Sequence, residues 1–152
     1  MKLATFRTDS ADETIELGRT LSCQLTGVVL LIGNLGAGKT TLAKGIVEGL
    51  GIAHQDEVSS PTFTLIQQYG GQCDDHATRP VFHIDLYRLD EESEVETLGL
   101  RDLFAGQSLI LLEWAERFPA LLPAVRTEIR ITVLNDETRN YETRDIVVTS
   151  LP

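Results

Sequence analysis

Cysteine is nearly absent from these 152 residues: Cys23 and Cys73 stand far apart, with no C-x-x-C and no Cys/His pair at zinc-ligand spacing. That excludes a disulfide framework and a structural zinc site, and a reducing cytoplasm is the expected home. Positive charge is also short. Lys and Arg number 13 against 23 Asp and Glu, a formal net charge of −10, and a field of that sign repels a phosphate backbone. Any service to nucleic acid is then expected to run through a partner. Long apolar runs are missing as well. Val28 to Ile32 is far short of the roughly 20 residues that span a bilayer, and Met1 to Phe6 shows no signal-peptide h-region, so no membrane association is expected. With 42% hydrophobic and 24% charged residues, and no repeat, low-complexity tract or linker, the composition fits one soluble globular domain over 1–152.

The local pattern alternates between strands and helices. Residues 3–7 read as a short strand, and Ser10 with Glu13 has the spacing of a capping box opening a helix near 12–23. Val28 to Ile32 is apolar at every position, as in a parallel strand covered on both faces. From Lys39 to Leu50, Leu42, Ile46, Val47 and Leu50 recur at helical spacing, and Gly49 and Gly51 mark the end. Phe63 to Tyr69 and Val81 to Asp85 read as an edge hairpin across a polar loop begun by Gly70-Gly71 and holding Cys73 to His76. Acidic residues 90–96 lead into a helical stretch with Leu98, Leu100, Leu103 and Phe104. Ser108 to Leu112 is a second buried strand closed by Glu113-Trp114, and Thr127 to Leu134 with Arg144 to Thr149 form a closing antiparallel pair around Asn135 to Glu137. The pattern points to the α/β class, with buried parallel strands and antiparallel pairs in one domain.

The sharpest signal is Gly33-Asn34-Leu35-Gly36-Ala37-Gly38-Lys39-Thr40, which fits G-x-x-x-x-G-K-[ST] after a buried strand and before a helix. The glycines let backbone N–H groups wrap phosphates, the helix N-terminus adds partial positive charge, Lys39 reaches the β- and γ-phosphates, and Thr40 offers a hydroxyl to Mg²⁺. The spacing of Gly33, Gly36 and Gly38 does not fit a dinucleotide fingerprint.

Phosphoryl chemistry also needs an acid at the end of a neighbouring strand. Asp85 and Glu113 both end apolar stretches. The more apolar stretch is expected beside the phosphate strand, which makes Glu113 the candidate metal ligand and Asp85 the water-side or relay carboxylate. Ser59 to Thr64, with Pro61 stiffening the turn, reads equally well as a γ-phosphate switch or as a plain entry to a strand. Trp114 is expected in the core. His54, His76 and His83 have no metal-ligand partner at suitable spacing and read as structural or solvated. A small-molecule kinase would use the same Lys39 and Thr40 but needs an Arg-rich lid, whereas Arg117, Arg126 and Arg130 are spread out; the N-K-x-D motif of GTPases is missing.

The phosphate string through Thr41, then Ser60-Pro61-Thr62-Phe63-Thr64-Leu65, then His83-Ile84-Asp85-Leu86-Tyr87-Arg88-Leu89, then Leu112-Glu113-Trp114, resembles the TsaE (YjeE) family over nearly the whole chain. The resemblance implies a three-layer α/β, P-loop NTPase-like fold with a mainly parallel sheet and added antiparallel strands, and a bacterial ATPase that acts with TsaB and TsaD in threonylcarbamoylation of the adenosine beside the tRNA anticodon, touching tRNA only indirectly and leaving the transfer itself to TsaD. It implies ATP and Mg²⁺, with Gly33, Leu35, Gly36, Ala37, Gly38, Lys39, Thr40 and Thr41 at the nucleotide, Thr40 and Glu113 at the metal, and Lys39, Asp85 and the switch residue Thr62 in catalysis. Thr8 and Ser10 correspond to an N-terminal stretch near the nucleotide base. Asn34 departs from the Asp or Glu of many relatives and removes a negative charge from the loop lip.

Overall fold

The structure, a computed structural model, describes residues 2–62, 65–70, 80–134 and 143–152. Its centre follows from β2 (Val28–Ile32), whose five residues are all Val, Leu or Ile and all buried. Such a strand must be covered on both faces. Val29 and Leu31 pack with Leu42, Ile46 and Val47 in one apolar cluster, while Val28, Leu30 and Ile32 pack with Ile110, Leu112 and Phe118 in a second. Each fully buried Leu or Ile in these clusters contributes about 1.5–3 kcal/mol of transfer free energy. Helices α1 (Ala11–Leu21) and α2 (Lys39–Gly49) cover the first face, and the short α3 (Glu92–Glu96) and α4 (Leu100–Phe104) lie on the second.

Six further strands complete the sheet: β1 (Lys2–Thr8), β3 (Ile66–Tyr69), β4 (Val81–Asp85), β5 (Leu109–Glu113), β6 (Arg126–Val133) and β7 (Arg144–Leu151). Their order is β1-β7-β6-β2-β5-β4-β3. The four strands β6, β2, β5 and β4 run parallel, and β1, β7 and β3 are added antiparallel at the two edges. The sheet is thus mixed, with three parallel pairings at its centre and the expected added antiparallel strands making three more toward its edges. The successive strands β3 and β4, and β6 and β7, pair antiparallel as the sequence pattern predicts, and β1 adds a third antiparallel pairing beside β7.

Most boundaries fall within a residue or two of those read from the sequence, and β5 does lie beside β2. The Ser10 cap forms, its Oγ accepting from Glu13 N–H at 3.1 Å, but the Glu13 carboxylate accepts from Asp9 N–H at 2.6 Å rather than from Ser10. Phe63, Thr64, the loop from Gly71 through His76 and the turn at Asn135 to Glu137 lie outside the described residues. Among the described residues no helix is long and apolar enough to cross a membrane.

Helices α1 and α2 touch backbone to backbone where Gly18 meets Gly45. A Cβ on Gly45 would sit 2.0 Å from the Ile15 carbonyl oxygen, and one on Gly18 would sit 2.6 Å from that of Leu42. Alanine is worth about 1 kcal/mol over glycine within a helix, but forcing two backbones apart costs more. Gly45→Ala is expected to destabilise the protein by about 2 kcal/mol, read as a lower urea midpoint at unchanged slope. A midpoint equal to or above that of the parent would remove the close-approach account.

Candidate functional site

Three parallel strands end side by side, since Leu31 of β2 and Asp85 of β4 are both in register with Glu113 of β5. From Ile32 the chain turns through Gly33–Gly38 into α2. Gly36 and Gly38 hold φ of 79° and 111°, which side chains resist, so the tight turn requires glycine at both. Lys39 opens the helix and folds back to donate from Nζ to the Gly33 carbonyl at 2.7 Å, with Nζ 3.3 Å from the centre of the Trp114 ring. Its side chain is almost wholly enclosed. Burial lowers the Lys39 pKa from its ordinary value, while Glu113, Glu116 and Asp85 act in the opposite direction. An anion entering beside this ammonium would meet a charge already stripped of water.

The two strand-end acids are buried and differently dressed. Glu113 stands with both carboxylate oxygens 3.3 Å from Thr40 Oγ1, and its Oε2 lies 2.5 Å from His83 Nε2. Asp85 instead gathers the loop after α2: its Oδ2 accepts from Ser60 Oγ and Thr62 Oγ1, each at 2.7 Å, and its Oδ1 accepts from Tyr87 N–H at 2.8 Å. The same loop is closed by Leu65, at φ 65°, donating its N–H to the Pro61 carbonyl, and Leu65 in turn accepts from Asp85 N–H at 3.0 Å. Arg117 clamps the segment beyond Asp85, donating to the carbonyls of Tyr87 at 2.9 Å and Leu89 at 2.7 Å.

Between these groups opens a cleft of about 410 Å³, lined by Leu35 to Thr41, Ser60, Thr62, Asp85, Tyr87, Glu113 and Trp114. Gly33 is not on its wall; it shapes the turn from behind, with the Ile131 carbonyl so close that a Cβ would approach it to 2.7 Å. Thr8 also lies outside the cleft, buried with Oγ1 2.7 Å from Thr14 Oγ1. Thr14, with Ala11, Gly38, Thr41 and Arg144, lines an adjoining hollow of about 90 Å³.

Trp114 and Arg144 sit where the sequence pattern does not put them, and His83 is settled between its two readings. Trp114 is half-buried at the rim rather than in the core, because the chain reverses there at φ 68° and the ring turns onto Lys39 and Tyr87, 5.1 Å away from the latter's ring. His83, read as structural or solvated, is structural: it is fully buried and bonded to Glu113. The signal was available, since residues two apart on a strand share a face and His83 precedes Asp85 by two. Arg144, at the start of β7, donates from Nε to the Ala37 carbonyl of the glycine turn at 2.7 Å. That contact spans most of the chain and leaves no local trace.

Fold and site together define an α/β protein that collects its polar machinery at the carboxyl ends of parallel strands, where open α/β sheets bind ligands. A family profile described as "Threonylcarbamoyl adenosine biosynthesis protein TsaE" matches residues 8–144, and the chain belongs to the TsaE family. Proteins named "tRNA threonylcarbamoyladenosine biosynthesis protein TsaE" from Haemophilus influenzae and Bacillus subtilis are similar to it, at 42% identity over 76% of this chain and 68% of that one, and at 41% over 91% and 84%. A solved structure described as that of Bacillus subtilis YdiB superposes with a TM-score of 0.74 at 32% identity, over 99% of this chain and 87% of that one.

Proposed function

We propose that this chain is a magnesium-dependent ATPase with a P-loop NTPase fold, one domain over 1–152, that hydrolyses the γ-phosphate of ATP in the cytoplasm for threonylcarbamoyladenosine formation on tRNA. Its partners in this reading are TsaB and TsaD; it does not transfer the threonylcarbamoyl group, and it meets tRNA only through them. The observation that carries the reading is the convergence of Lys39, Thr40, Asp85 and Glu113 on one cleft at the mouth of a glycine turn. The names of its relatives direct the chemistry to tRNA, and a chain of charge −10 is ill suited to grip tRNA alone.

In this reading the N–H groups of the glycine turn and the Lys39 ammonium hold the triphosphate, and Asp85 with the Thr62 hydroxyl orients the attacking water. The donor set suits Mg²⁺: a hydroxyl from Thr40 and a carboxylate from Glu113 are hard oxygen ligands, and Mg²⁺ characteristically keeps waters and substrate phosphates as its others. Held by Thr40 and Glu113, Mg²⁺ supplies charge neutralisation at the phosphate oxygens.

The site stays open to solvent on one side, and among the described residues no arginine lines the cleft. Hydrolysis by the isolated protein is therefore expected to be slow and to rise at least about tenfold when the TsaB–TsaD pair closes the site. Measuring ATPase rates with and without that pair, and multiple-turnover tRNA modification with and without this protein, tests the proposal. If neither quantity differs, the functional reading fails even where ATP binds.

A further inference from the structure

We propose that His83 is a positioning residue for Glu113, holding its carboxylate from behind so that the face toward Thr40 is set before any ion arrives. The inference rests on the reading of Glu113 as a Mg²⁺ ligand.

His83 lies in the middle of β4, opposite Gln67 of β3 and Leu111 of β5, on the face where Val81, Leu109 and Leu111 join the apolar cluster beneath α2. It is fully buried there. An imidazole in such a layer carries a desolvation penalty where Val or Leu would carry none, unless its polar atoms are hydrogen-bonded. One is: Nε2 lies 2.5 Å from Glu113 Oε2. Nδ1 has no hydrogen-bond partner among the described residues. That asymmetry assigns the ring proton. With hydrogen on Nε2 the ring donates to the carboxylate and leaves a bare lone pair at Nδ1; the other tautomer would bury an unpaired N–H and set two acceptors against each other.

Glu113 is thus fixed on two sides. Its Oε2 is drawn back by His83 while both oxygens stand 3.3 Å from Thr40 Oγ1, so the carboxylate cannot rotate without breaking the buried bond. A ligand locked in this way loses little freedom when it takes up an ion, and groups that orient metal ligands are worth about 10–100-fold in metal affinity.

The test is the Mg²⁺ dependence of ATP binding in the full chain, in H83L, H83Q and E113Q. H83L removes the donor at similar volume, and H83Q returns an N–H at a comparable reach. The half-saturating Mg²⁺ concentration is expected to rise about tenfold in H83L and to stay within about threefold of the parent in H83Q, with ATP affinity at saturating Mg²⁺ kept in both. A loss of packing alone would lower that plateau instead and would not be rescued by H83Q, which overturns the proposal. If E113Q raises the Mg²⁺ requirement while H83L does not, the positioning role fails and the ligand reading stands. If E113Q leaves it unchanged, the ligand reading falls and this inference with it. Histidine ring ¹⁵N spectra of the unaltered protein give a check free of any folding defect: the Nε2–H tautomer is expected for His83, and the Nδ1–H tautomer overturns the proposal.

Discussion

Lys39→Ala is expected to lower ATP hydrolysis by about 10²–10³-fold or more, with most of the loss in kcat. On the proposed reading, the charge that develops on the transferring phosphoryl group is answered, among the described residues lining the cleft, by one side-chain ammonium, and that ammonium is already buried. Its burial against Trp114 and the Gly33 carbonyl lowers its pKa, so its field is poorly screened and strengthens most when phosphate charge concentrates beside it. Backbone N–H groups of the turn survive the substitution and continue to hold phosphate, which is why binding should suffer less than turnover. Truncation also frees the Gly33 carbonyl and the Trp114 face, so thermal unfolding of the variant must be recorded beside its kinetics. Hydrolysis at the parental rate in a folded Lys39→Ala protein would remove the phosphate-loop assignment altogether.

Asp85→Asn is expected to reduce turnover by about 10²-fold while ATP and Mg²⁺ still bind. Asp85 receives three hydrogen bonds, from Ser60, Thr62 and the Tyr87 amide, and an ionised carboxylate accepts them all at once. An amide in its place must turn a donor toward one of those donors. The loop carrying Ser60 and Thr62 would then loosen, and on the proposed reading of that loop as a γ-phosphate switch, stimulation by TsaB–TsaD should weaken with it. Single-turnover measurements separate this from the Glu113 role: a variant that binds but does not hydrolyse supports Asp85 on the water side. A raised Mg²⁺ requirement with turnover intact would exchange the roles of the two acids.

What could be read directly from the chain was what depends on near neighbours. Five apolar residues in succession announce a strand covered twice; a glycine turn between such a strand and a helix announces where the site lies; acids ending two other apolar stretches announce its walls. Each signal is local because covalent geometry and burial act within a few residues. The order of strands is different. It is set by pairings between distant segments, so the antiparallel pairing of the first strand, β1, with the last, β7, was not legible. Arg144 reaches the glycine turn from the last strand, and nothing near it in the chain marks the contact. His83 was legible in principle through its alternation with Asp85, but its worth depends on which strand lies alongside. Trp114 was misplaced because apolarity argues for the core, while a positive φ at a strand end, invisible in composition, turns the ring outward.

The arrangement of charge around Lys39 has a consequence for what the cleft admits. One ammonium faces the carboxylates of Asp85, Glu113 and Glu116, all close enough to act on it. A bare triphosphate approaching this set would meet more carboxylate than ammonium charge from these four side chains, and the three acids are in large part withdrawn from solvent. The same nucleotide with a divalent ion already aboard brings a countercharge for Glu113 as it enters. The cleft would therefore act as an entry filter that counts metal-loaded nucleotide rather than total nucleotide, and its two cargoes would enter and leave as a pair.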